Sequence, residues 1–153
     1  MKQLVFRSVA AFAVLFLCSS FIYGIFGRKC GIRGYVYEVK GNQMPSPGET
    51  RQPPKGIVTE VFIYELTGPG QVTNADRPGF YKAVNTKLVK QVTTDQKGYF
   101  KVNLPEGRYS VFTKADSLFY ANIFDQDNKI YPVEVFKKKF TDVIIKQDFN
   151  AAY

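Results

Sequence analysis

The chain has 153 residues, 45% of them apolar and 16% aromatic, with 14 Phe, 10 Tyr and no Trp. That suffices for one packed domain plus a targeting segment. It contains no His and only two Cys, Cys18 and Cys30, which excludes His-dependent general bases, Ser-His and Cys-His nucleophile pairs, and a Cys-based zinc site. The formal charge is +8. Two of the 21 basic residues lie before residue 25 and all 13 acids after it, so loss of the N-terminus lowers the charge by two.

At the N-terminus, Lys2 and Arg7 precede the uncharged run 8–26, and Arg28 and Lys29 follow it. This is the layout of an export signal over residues 1–24, with cleavage after Ser20 or Gly24. The run is also near the roughly 20 residues that span a bilayer, so a retained anchor helix with membrane contact through 8–26 stays open. Either way the remainder is expected outside the cytoplasm: periplasm, cell surface or secreted. A lipid-modified Cys18 fits poorly, because Leu17 stands where a small residue is wanted. Cys30 reads as a half-buried residue at the head of the first strand.

The remainder reads as strands and turns. Residues 31–39 alternate Ile32, Gly34, Val36 and Glu38 against Arg33, Tyr35, Tyr37 and Val39. Residues 40–56, with four Pro, form a long loop. Residues 57–66 form the strongest strand, with Ile57, Thr59, Val61 and Ile63 as its inner face. A second long loop, 67–85, leads to a strand at 86–94. The stretch Thr93–Phe112 then reads strand, turn, strand, turn, strand. Asp95 can accept backbone amides two residues on, and Gly98 supplies positive φ. Pro105 presets φ at the next turn, and Gly107 tolerates the left-handed region. Turns this short predict consecutive antiparallel neighbours, with Phe100, Val102, Leu104, Tyr109, Val111 and Thr113 facing the core. Residues 116–124 fit either a helical turn or a strand beginning near Tyr120. Residues 125–129 form a turn, and strands at 130–136 and 140–153 close the domain. Pro132 marks an edge or a bulge.

The pattern predicts an all-β, seven- to eight-stranded antiparallel β-sandwich over residues 31–153. The residues Gly34 and Val36, then Thr93, Asp95, Gly98, Phe100, Val102, Leu104, Pro105, Gly107, Tyr109 and Val111, resemble the carboxypeptidase regulatory-like domains of the transthyretin-like (prealbumin-like) superfamily. The resemblance implies a sandwich of seven or so strands, used in bacterial exported proteins as an accessory, adhesion or carbohydrate-associated module. It also suggests an isopeptide bond between Lys40 and Asn150, as in the related collagen-adhesin B-type pilin modules, with Glu60 or Glu65 as the carboxylate. The superfamily's hydrolases and dioxygenases depend on His, which this chain lacks.

The expected function is therefore a non-catalytic module that binds an envelope protein or a glycan through loops 40–56 and 67–85, without cofactor or metal. Phe80, Tyr81, Phe119, Tyr120 and Tyr131, in or beside loops, are the candidate contact aromatics, with packing at the ends of the core as the competing reading. Asp125–Asn128 has calcium-like spacing, but Ile130 and Phe136 stand where such a loop needs Gly and Glu, so a polar turn is expected. Lys137–Lys139 reads as a solvated turn, and nucleic acid is not an expected partner. Two other readings stay open: an anchored accessory subunit of an envelope complex, and a hydrolase using carboxylates.

Overall fold

The structure is a computed structural model; it describes residues 30–44 and 53–153. The export signal or anchor, Cys18 and the middle of the first long loop lie outside the described residues. Two sheets face each other across one apolar core, a sandwich-like all-β arrangement.

Sheet A is built on β1 (Gly31–Asn42), which has β11 (Phe140–Ala152) along one flank. Its other flank carries β7 (Tyr99–Asn103) beside Gly31–Tyr35, then β2 (Lys55–Gly56) beside Tyr37 and Glu38. Sheet B runs β4 (Val72–Asn74), β5 (Phe80–Val84), β9 (Leu118–Tyr120), β8 (Gly107–Ala115), β3 (Glu60–Glu65), β6 (Leu88–Thr93). Strand β10 (Pro132–Val135) continues along the flank of β8 beyond β9. Pro132 accordingly sits at a sheet edge, where its missing N–H costs no ladder bond.

Inward residues of both sheets meet in the core. Ile32, Val36, Phe100, Val102 and Ile145 come from sheet A, and Val61, Ile63, Val111 and Val133 from sheet B. Leu104 and Tyr109 close it beside the second turn, where the Tyr109 hydroxyl donates to the Pro105 carbonyl at 3.1 Å. Strand β8 is buried on both faces. Val111 and Thr113 point toward sheet A, while Ser110 and Phe112 point the other way, Phe112 into an edge-on ring cluster with Tyr64, Tyr81 and Phe119. The expected inner face of β3 is correct for Val61 and Ile63, but Phe62 and Tyr64 are buried as well.

Three expectations are corrected. The stretch Asp95–Phe112 is not a consecutive antiparallel ladder: β7 pairs with β1, and β8 with β3, β9 and β10. The Asp95–Gly98 turn forms as expected, whereas Pro105–Gly107 is an open bend with Gly107 at φ 150°. Asp95 Oδ1 accepts the amides of Lys97 and Tyr99, each at 2.8 Å, and Gly98 has φ 79°. They carry the chain across the roughly 10 Å between facing sheets, which a short turn spans as readily as it closes a hairpin. Second, β1 and β11 run parallel, with eleven partners in register from Gly31↔Phe140 to Asn42↔Ala152. The ends of the chain can pair this way because the whole domain serves as the crossover. Third, both long loops contain strands. β1 extends to Asn42, β2 lies within 40–56, and 67–85 folds into the β4–β5 hairpin preceded by a 3₁₀ turn, Pro69–Gln71. Together with β9, the ambiguous segment, these short strands raise the count above the expected seven to eight.

Candidate binding surfaces

The five candidate contact aromatics are not exposed. Phe80, Tyr81, Tyr120 and Tyr131 are buried and Phe119 is half-buried. The reason is pairing that the local sequence does not announce: Phe80 opposes Tyr120 and Tyr81 opposes Phe119 across β5 and β9. Phe80, Tyr120 and Phe149 pack within about 5 Å of one another as a second small core. Tyr131, at φ 39°, donates its hydroxyl to the Ile144 carbonyl at 3.0 Å and so ties sheet B to β11. These residues hold the two layers together.

Their hydroxyls titrate accordingly. Burial pushes Tyr131 from the ordinary 10 up to about 12. Tyr120 moves up as well, through burial and its 2.7 Å hydrogen bond to the Asp148 carboxylate. A folded-state pKa above the unfolded one means the unfolded chain loses its proton first. Stability from Tyr131 is therefore complete below pH 10 and lost as pH rises toward 12. Absorbance titration of phenolate should show these two hydroxyls ionising only together with alkaline unfolding; independent ionisation in the folded state would contradict the burial.

Two open clefts are present, the second of them in the predicted contact loop 67–85 and the first touching loop 40–56 only through Lys40. The larger, about 580 Å³, is lined by Glu38, Lys40, Val58, Glu60, Lys114 and Asn150 among others. Two ion pairs line it: Lys40 lies 2.8 Å from Glu38, and Lys114 3.6 Å from Glu60. Its floor is held by Gln147, whose amide donates to Thr113 Oγ1 at 2.9 Å and to the Lys114 carbonyl at 2.8 Å. The second cleft, about 490 Å³, is formed by residues 74–81 and Phe124. There the Arg77 guanidinium sits 4.5 Å over the Phe80 ring and 5.5 Å from that of Phe149.

Lys40 and Asn150 are register partners on β1 and β11, as an isopeptide link would need. The carboxylate paired with Lys40 is Glu38; Glu60 lines the same cleft and pairs with Lys114. The Lys40 side chain is 57% exposed and ion-paired, so nothing there desolvates an amine into a nucleophile. The Asp125–Asn128 stretch is a turn. Asp125 Oδ1 accepts the amides of Asp127 and Lys129, and Oδ2 takes the Arg108 guanidinium at 2.8 Å. Lys137–Lys139 is an exposed turn between β10 and β11. Cys30 is half-buried, and its thiol donates to the Leu104 carbonyl at 3.2 Å.

Sequence reasoning missed the outer face of sheet A. Tyr35 packs against Tyr37 and Tyr99, with ring centroids 5.8 and 5.2 Å away. The alternation of Arg33, Tyr35 and Tyr37 against Ile32, Gly34 and Val36 was the available signal; the partner strands were not. Beside these rings Arg33 forms a two-pronged pair with Asp142, 2.6 Å at its shorter contact, which holds that carboxyl below its usual range. A scan against protein-family models and a search of curated proteins find no match to this chain.

Proposed function

We propose that this chain is an exported, non-catalytic binding module of the bacterial envelope, built on a transthyretin-like sandwich and recognising a protein or a glycan. One observation carries the reading: the buried groups with chemical potential are committed to structure. Gln147 bonds to Thr113 and the Lys114 carbonyl across the layers, while Ser110 and Thr67 bond to one another and to backbone beside β3. Tyr120 and Tyr131 are anchored by Asp148 and by the Ile144 carbonyl. These structural hydrogen bonds account for the burial of each side chain without a catalytic role. The facing sheets and the well-formed Asp95 turn support the superfamily resemblance, and the two clefts, one of them in loop 67–85, supply recognition surface.

The test combines cell fractionation, N-terminal mass spectrometry of the recovered protein, and a glycan and protein array. An extracytoplasmic protein starting near Phe21 or Ile25 that binds an array component without turning it over is the expected result. An intact Met1 in the membrane fraction would replace free export with an anchored subunit, and turnover of a bound ligand would overturn the non-catalytic reading.

A further inference from the structure

We propose that the outer face of sheet A binds an anionic polysaccharide. This inference rests on the binding-module reading and places the contact on a sheet face rather than on the loops. Register sets three cross-strand rows there: Lys101, Arg33, Asp142; then Tyr99, Tyr35, Ile144; then Gly56, Tyr37, Lys146. Alternation turns Ile32 and Val36 into the core and sends these residues the other way. Tyr35 is 39% exposed on the middle strand of its sheet, and Ile144 is 62% exposed. Tyr64, Tyr81, Tyr109, Tyr120 and Tyr131, by contrast, are buried.

The chemistry is that of a stacking platform with charged ends. Tyr35 stacks on Tyr37, 11° from parallel, and is tilted against Tyr99; the outward surface of this ring cluster can contact the C–H groups of a sugar, and its hydroxyls can bond sugar hydroxyls. Arg33 is already matched by Asp142. Among the described residues Lys101 and Lys146 have no carboxylate partner, and they stand at opposite ends of the tyrosine rows. Two lysines flanking a ring cluster suit a polyanion carrying rings. The basic excess of the chain draws such a polymer in. Single-stranded nucleic acid shares that chemistry; the export-type N-terminus favours a sugar polymer.

The full-length protein, in mild detergent, is titrated with polygalacturonate, with neutral dextran and with a deoxythymidine oligonucleotide. Polygalacturonate should bind, more weakly as salt rises. Tyr35→Ala with Tyr99→Ala should weaken it by about tenfold or more, the usual consequence of losing aromatic anchors. Lys101→Gln with Lys146→Gln should weaken it and flatten the salt dependence. Both lysines are exposed, so this variant keeps the fold and decides the matter even if the tyrosine variant unfolds. Preference for dextran or for the oligonucleotide, or no binding of polygalacturonate, overturns the proposal. Polygalacturonate binding unchanged in both variants also overturns it while leaving the module reading intact. Recovery of the chain wholly in the cytoplasm would sink that module reading, and the affinity of this face for the polyanion would still be measurable.

Discussion

Gly98→Ala should lower the unfolding free energy by about 3 kcal/mol, combining a left-handed backbone penalty with an overpacked contact. Gly98 has φ 79°, and a Cβ there would overlap the Val36 carbonyl oxygen and press on Gly56 and Ile57 backbone at 3.1 Å. None of these is a flexible side-chain end that could swing aside. The Gly98 carbonyl also accepts the Val36 amide at 2.8 Å, so relaxation of the turn would break a bond to the central strand of sheet A. Gly41 is the control. Its φ is 74°, and nothing lies within 4 Å of a Cβ built there. Gly41→Ala should therefore cost only the backbone term, about 1 kcal/mol. Urea unfolding of both variants measures the difference, and equal losses would mean that the close approach of turn to strand contributes nothing.

Phe112→Ala should cost about 3–5 kcal/mol, the range for deleting a buried aromatic ring. Phe112 is 0% exposed on the central strand of sheet B. Its ring meets Tyr64 and Tyr81 edge-on with centroids 5.7 Å away, and Phe119 at 6.4 Å. Those neighbours sit on β3, β5 and β9, three strands held in place by their ladders, so the vacated space cannot collapse. The midpoint of denaturation should fall with little change in slope. A loss below about 1 kcal/mol would show that the cluster is loosely packed. Phe119→Ala, half-buried at the margin, should cost less, and its effect should not add to that of Phe112→Ala because the rings touch.

Much of the strand pattern was legible because its causes are local. Alternation marked β1, β3, β7 and β8, and the pairs Asp95/Gly98 and Pro105/Gly107 marked reversals of the chain, the first closed by the Asp95 bonds its residue types require. The failures share one cause. Strands β5 and β9 are short, and nothing in Phe80–Val84 or Leu118–Tyr120 separates them from loop; they become strands by pairing with each other and by adding β9 to the flank of β8. Aromatics read as contact residues were therefore core, while the cluster of exposed Tyr35 with half-buried Tyr37 and Tyr99 emerged only when β7 and β11 were laid beside β1.

The sequence by itself determined an all-β domain over residues 31–153, the chemistry of its Asp95 turn, the inward residues of its longer strands and the absence of histidine chemistry. Only the tertiary structure decided which strands are neighbours: β1 beside β11 in parallel, and successive strands β6, β7 and β8 shared between two sheets. Side-chain period and turn type act over a few residues, whereas a choice of partner is made by backbone donors and acceptors far apart in the chain, once a common core has brought them together.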